Sequence, residues 1–267
     1  MNKLDFNKIK TSFDKDGFVK VKGLIDINLI DSLLDAIENS ENLKQADGVI
    51  FDNIDDKNML RYMPQPQNFE PIFLKLVTSN LLNIGSRLLD EDAYFSGIDI
   101  HCRAAKAEKP TPPHQDSFLA CFEDGFESLI TCYLSLTGMD EGTACLRFIK
   151  GSNNYPTINH KKSLIRGFSS VIEDSAELLP KEMLENEELI TLEKGECVFF
   201  HSKTIHYTNQ LAKPTSGRAS AAIRIGGFSA KYSSSRQEIY KSNLKFNREN
   251  TMKEGLTSSL SKPQHNN

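Results

Sequence analysis

Pro112-Pro113-His114-Gln115-Asp116 places an imidazole and a carboxylate two positions apart, directly behind a proline pair. If this stretch enters a β-strand, positions i and i+2 project from one face, so His114 and Asp116 reach a common point. Those groups make two thirds of a 2-His-1-carboxylate facial triad, the arrangement that holds Fe(II) and leaves positions open for oxygen and a co-substrate. A third ligand and an anchor for the co-substrate must then come from strands further along.

Two histidines fall in Phe199-Phe200-His201-Ser202-Lys203-Thr204-Ile205-His206-Tyr207-Thr208-Asn209. Lys194-Gly195-Glu196 reads as a tight turn and Cys197-Val198-Phe199-Phe200 as a buried strand leading into His201. Ser202-Lys203 makes the next corner, so His206 begins a new strand. Arg218 follows twelve residues after His206, in Gly217-Arg218-Ala219-Ser220-Ala221-Ala222-Ile223. Two antiparallel strands would bring it beside His206, where a guanidinium can hold a carboxylate through paired N–H bonds; Ser220 projects from the same face. A metal flanked by these groups suits a dicarboxylate chelated at one end and clamped at the other.

The surrounding chain divides near Tyr94. Before it, residues 4–16 carry Leu4, Phe6, Ile9 and Phe13 at helical spacing, Asp16-Gly17 breaks that helix, and 18–24 alternates as a short strand. Residues 26–40 form an amphipathic helix through Leu29, Ile30, Leu33, Leu34 and Ile37; 41–68 read as a long polar excursion; 69–89 return to helical spacing. The first ninety residues are thus expected to be mostly helical. Beyond them come short β-prone runs separated by turn residues, at 95–103, 129–136, 145–149, 189–192, 197–201, 205–208 and 219–228, with 153–188 as an insertion. Such a pattern predicts a mainly β protein with a sandwich or jelly-roll core and flanking helices, not a parallel α/β sheet. One domain is expected over 1–247, with a frayed tail over 248–267.

Hydrophobic content of 39% and charged content of 25% suit a soluble globular protein. A net charge of −4 with scattered Lys and Arg gives no footprint for nucleic acid, and no apolar run approaches the ~18 residues of a membrane span. The five cysteines are odd in number and form no CxxC pair. With no signal peptide at Met-Asn-Lys-Leu-Asp-Phe, a reducing cytoplasm is the simplest compartment.

Four segments together resemble the phytanoyl-CoA dioxygenase family of Fe(II)- and 2-oxoglutarate-dependent oxygenases. They are Asp16-Gly17-Phe18-Val19; Thr111-Pro112-Pro113-His114-Gln115-Asp116; Leu134-Ser135-Leu136 through Cys145-Leu146-Arg147-Phe148-Ile149-Lys150-Gly151-Ser152; and Ile205-His206 through Arg218. The resemblance implies a double-stranded β-helix (jelly roll, cupin-like) core with His114, Asp116 and His206 as iron ligands. It implies Arg218 on the distal carboxylate of 2-oxoglutarate with help from Ser220, and Thr131 and Tyr133 on a strand facing that co-substrate. Arg103 falls where relatives carry a pocket lysine and is assigned to an anionic co-substrate or substrate. The chain departs from the pattern at Thr143-Ala144-Cys145-Leu146 and over 160–167.

The activity so implied consumes Fe(II)-bound 2-oxoglutarate and O2, releases succinate and CO2, and hydroxylates a C–H bond; Asp116, which some halogenating relatives lack, favours hydroxylation. His101, His160 and His201 stay open between structural and pocket roles. Two other classes remain: a jelly-roll hydrolase or isomerase using the same triad, and a silent binding protein of the same fold. A small polar or zwitterionic metabolite, such as an amino acid or organophosphonate, is the expected substrate, while oligomeric state is unread.

Overall fold

The computed structural model describes residues 5–105, 110–165, 168–172, 185–208 and 215–251. Helix α1 (Phe6–Asp16) starts at Asp5, whose carboxylate accepts from the Lys8 amide, and stops at Gly17, left-handed with φ of +83°. Strand β1 (Phe18–Val21) follows, then α2 (Ile27–Asn39), capped by the Asp26 side chain, and the single turn α3 (Glu41–Lys44). Strands β2 (Ile50–Ile54) and β3 (Lys57–Pro64) form a hairpin. Two 3-10 turns, Pro66–Asn68 and Pro71–Leu76, lead to α4 (Ser79–Leu89).

The β region comprises β4 (Ala93–Arg103), the short helix α5 (Asp116–Leu119), β5 (Leu129–Ser135), β6 (Leu146–Ile149), β7 (His160–Lys162) and β8 (Ser170–Ile172). It continues with β9 (Glu187–Ile190), β10 (Cys197–His201), β11 (His206–Thr208) and β12 (Arg218–Gly227), and α6 (Ser234–Thr251) closes the described chain.

A seven-stranded antiparallel sheet in the order β1-β10-β5-β12-β4-β3-β2 faces a three-stranded sheet, β11-β6-β9. Side chains alternate across each strand, which is what lets one sheet build two different layers. On β12, Ala219, Ala221, Ile223 and Ile225 join Ile98, Ile100, Cys132 and Phe199 under the helices, against Phe13, Ile30, Leu33 and Leu81. On the opposite face Tyr133, Val198, Phe200 and Ala222 pack toward Leu146, Phe148 and Ile190 of the small sheet. This is the expected jelly roll.

Three expectations change. The 41–68 excursion adds two strands, β2 and β3, to the edge of the large sheet. The signal was Asp55-Asp56, both at positive φ (50° and 62°), a tight turn that two aspartates can adopt. Residues 71–76 are 3-10 rather than α, opened by Pro71 at the first turn. The frayed tail does not begin at 248, since α6 runs to the buried Thr251.

That helix escaped the hydrophobic pattern because it docks through polar groups. The Asn247 Nδ2 donates to the Ser163, Ile165 and Phe168 carbonyls at 2.8, 2.9 and 3.0 Å, and Asn243 to the Ser170 hydroxyl at 3.0 Å. The 153–188 insertion therefore carries the β7–β8 hairpin as a platform for α6. Positions 166–167 and 173–184 of it, and 252–267 of the expected tail including His265, lie outside the described residues. Among the described residues no helix is long and apolar enough to cross a membrane. All five cysteines are free, and four are buried.

Candidate metal centre and its cavity

His114 and Asp116 do not share a strand face. His114 forms an isolated bridge with His206, each amide donating to the other's carbonyl at 3.1 Å, while Asp116 opens α5. The extended-to-helical change at Gln115 turns the carboxylate back toward the imidazole, so convergence comes from a corner and not from strand alternation.

Gln115, wholly buried between the two, is held on every side. Its Nε2 donates to the Lys203 carbonyl at 2.7 Å and its Oε1 accepts from the Ile158 amide at 2.7 Å. Its own amide donates to His160 Nε2 at 3.0 Å; the opposite nitrogen of that ring lies 2.8 Å from the Ile158 carbonyl, and the ring stacks 4.2 Å from Phe118. His160 is thereby a neutral imidazole bracing the corner that carries two ligands. His201, by contrast, accepts the Lys203 amide on Nδ1 at 3.1 Å and supports the turn leading to His206.

The N-terminal motif contributes here too. The Gly17 carbonyl accepts from His201 N at 2.9 Å and from the Thr204 hydroxyl at 2.8 Å, which ties the 16–19 segment to that turn.

One ligand atom each from His114, Asp116 and His206 lies within 4.8 Å of the others, all three buried. Both Nε2 atoms approach Asp116 Oδ1, at 3.7 Å from His114 and 3.8 Å from His206. The His114 and His206 Nδ1 atoms sit 2.9 Å from the Pro112 and Thr204 carbonyls, so each ring donates from Nδ1 and offers the Nε2 lone pair inward. The Thr131 hydroxyl donates to Asp116 Oδ2 at 2.9 Å, leaving Oδ1 toward the imidazoles.

Octahedral bonds of about 2.1 Å separate neighbouring ligand atoms by roughly 3 Å, so a small shift closes this set on an ion; two nitrogens and one carboxylate suit Fe(II). Burial, then the neighbouring His206, pushes His114 well below the usual imidazole range, and burial lowers His206 against the pull of Asp116. Burial alone would raise Asp116; His206, Arg224 and His114 outweigh it and hold its carboxyl below the ordinary range. All three ligands are thus in their metal-binding protonation states near neutral pH.

A cavity of about 380 Å³ opens from this centre. Arg218 lies in its wall: Nε donates to the Ala144 carbonyl at 2.7 Å, and Nη1 to the Tyr133 hydroxyl at 2.5 Å and the Ser220 hydroxyl at 3.0 Å. The expected trio of Arg218, Ser220 and Tyr133 is brought together. Thr131 lines the cavity as well, and its hydroxyl donates to Asp116 Oδ2. Arg103 pairs in register with Arg218 across β4 and β12; burial, then Arg61 and Arg218, lower it to about 10.

His101 also lines the cavity, its ring 5.3 Å from that of Tyr62 and lowered to about 4 chiefly by burial. Tyr62, Asp99, Arg224 and Tyr240 were not expected at this site. A signal existed for two of them, since Asp99-x-His101-x-Arg103 and Arg218-x-Ser220-x-Ala222-x-Arg224 put polar groups at period two on otherwise apolar strands.

A family model for phytanoyl-CoA dioxygenase (PhyH) matches residues 13–212. No curated protein matches the sequence itself. Among solved structures, the epimerase SnoN in complex with Fe3+, alpha ketoglutarate and nogalamycin RO is similar over 85% of this chain and 85% of its own, at 18% identity and a TM-score of 0.68. EctD from S. alaskensis with 2-oxoglutarate and 5-hydroxyectoine is similar over 85% and 77%, at 17% identity and 0.69. The alpha ketoglutarate dependent carbocyclase SnoK from nogalamycin biosynthesis is similar over 86% and 87%, at 16% identity and 0.67. These likenesses establish the fold, and with the match across three quarters of its length the chain belongs to the phytanoyl-CoA dioxygenase family of non-haem iron, 2-oxoglutarate-dependent oxygenases.

Proposed function

We propose that the protein hydroxylates an unactivated C–H bond of a small-molecule substrate. One 2-oxoglutarate and one O2 are consumed per turnover, with succinate, CO2 and the alcohol as products. His114, Asp116 and His206 hold Fe(II), and Arg218 takes the distal carboxylate of 2-oxoglutarate with the Tyr133 and Ser220 hydroxyls beside it. The iron supplies oxygen activation; the chain supplies orientation and exclusion of bulk water.

The observation that carries this reading is the Asp116 carboxylate, with Oδ2 tied to Thr131 and Oδ1 3.7 and 3.8 Å from the two Nε2 atoms. Asp116 would hold the iron through a carboxylate in the place an external halide would need, which favours hydroxylation over halogenation. Ala222, small and in register with Tyr133 and Asp99, leaves space over the sheet for the co-substrate between the metal and Arg218. A cavity of about 380 Å³ suits small molecules.

The similarity to an epimerase and a carbocyclase supports a second reading, in which hydrogen abstraction leads to rearrangement instead of oxygen insertion. An anaerobic titration of apo-protein with Fe(II) and 2-oxoglutarate, followed by the visible charge-transfer band of the chelate, tests the site. The band is expected in the wild type, absent in His206→Ala, and shifted to much higher 2-oxoglutarate in Arg218→Ala. No band in the saturated wild type refutes the assignment. Once a substrate is found, 18O from O2 in the product distinguishes hydroxylation from rearrangement.

A further inference from the structure

Arg224 stands six residues beyond Arg218 on the same face of β12 and lines the same cavity. Its Nη1 donates to Asp99 Oδ2 on the neighbouring strand β4, and the Gln65 amide approaches the other oxygen of that carboxylate at 3.4 Å. In register Arg224 lies opposite Thr131, the residue that holds Asp116, whereas Arg218 lies opposite Arg103. Arg224 is therefore level with the metal ligands and Arg218 is at the far end.

2-Oxoglutarate carries two carboxylates, one beside its keto group and one at its distal end. One co-substrate molecule chelated at the ligands and clamped at Arg218 has no carboxylate left for Arg224.

Arg224 nevertheless offers donors. A guanidinium carries five N–H groups, and among the described residues the side-chain partner of this one is Asp99, through a single nitrogen. Its side chain keeps 31% of its surface accessible although Asp99, Thr131 and Gly97 flank it, and Arg224 lines the cavity. Asp99 engages the guanidinium through that nitrogen and keeps it in place. Tyr62 and Tyr240 complete that side of the wall with aromatic surface.

We propose that Arg224, held by Asp99, is the substrate anchor, docking the carboxylate or phosphonate of a small organic acid beside the metal, apart from the Arg218 end. This rests on the iron and 2-oxoglutarate reading of the site. Asp99 is a positioning residue in it, acting through the guanidinium.

The test uses full-length protein loaded anaerobically with Fe(II) and saturating 2-oxoglutarate. Hexanoate, propylphosphonate and hexanamide are titrated calorimetrically into wild type, into Arg224→Lys, and into the neutral pair Asp99→Asn/Arg224→Gln. One or both anions are expected to bind wild type at least tenfold more tightly than the amide; which one does so separates carboxylate from phosphonate recognition. The neutral pair is expected to lose that preference, and Arg224→Lys, which keeps the charge and loses the fork, to fall between. Both variants are expected to show the charge-transfer band at saturating Fe(II) and 2-oxoglutarate, which reports that they fold and hold the chelate before any probe is added. Equal binding of anions and amide, an unchanged preference in the neutral pair, or no binding by any probe overturns the proposal. Failure of wild type to bind 2-oxoglutarate strikes instead at the reading of the site, and the anchor falls with it.

Discussion

Thr131→Val removes one hydroxyl and almost no volume, so it isolates what the hydrogen bond to Asp116 does. Thr131 and Asp116 are 1% and 7% exposed, and the bond is 2.9 Å long, so water does not replace the lost donor freely. A buried hydrogen bond to a charged group contributes about 1.5–3 kcal/mol, equivalent to roughly 10–150-fold in an equilibrium constant. Groups that orient metal ligands change metal affinity by about 10–100-fold when removed, a consistent range.

Fe(II) affinity is therefore expected to fall about 10–100-fold in Thr131→Val, read by anaerobic competition with a chelator of known affinity. The loss should grow as pH falls, because Thr131 helps hold the Asp116 carboxyl below its ordinary range and without it protons compete better for Oδ1. Thermal stability of the apo-protein should fall as well, because the same buried bond to a charged group is lost from the folded state. Iron affinity within twofold of wild type would refute the idea that Thr131 orients the ligand.

Three further outcomes follow from the same geometry. His160→Phe keeps the stack on Phe118 but leaves the Gln115 amide without an acceptor, and is expected to weaken iron binding several-fold in the same chelator competition while far-ultraviolet circular dichroism stays unchanged. Gly17→Ala forces φ near +83° on an L-residue and sets a Cβ 2.6 Å from Asn153 Oδ1 and Thr204 Oγ1, so it should lower stability by about 1–3 kcal/mol in urea unfolding. His101, His160 and His201 are each lowered to about 4, mainly by burial, so the unfolded chain takes up their protons first as pH falls below about 6.5. Their contribution is complete above 6.5 and is lost between there and about 4; apo-protein Tm measured against pH should drop steeply across that window.

How much of this was legible beforehand depended on where each signal lay in the chain. The boundaries of β10 and the start of β11 are stated locally by turn residues and short apolar runs, so His206 could be placed at a strand start. Arg218 and Ser220 share a face by strand periodicity alone. The Asp116 corner was read as a strand entrance, because nothing in Pro113-His114-Gln115 says that the chain will turn helical one residue later. That turn is set by Lys203, Ile158 and His160, which are between 43 and 88 positions away from Gln115. Helix α6 was invisible for a related reason: it is fastened by asparagine side chains to carbonyls about eighty residues upstream, and a polar docking face leaves no amphipathic stripe.

Local chemistry and period thus determined the ligand types, the jelly-roll class and the arginine that faces the metal region. Only the tertiary structure decided which oxygen of Asp116 points inward, that Thr131 donates to its other oxygen, and that Asp99 and Arg224 meet. Those outcomes depend on which strands become neighbours in the large sheet. Pairing of β4 with β12 joins residues 125 positions apart, and long-range pairing is chosen by the burial of whole faces and not by any short stretch of residues.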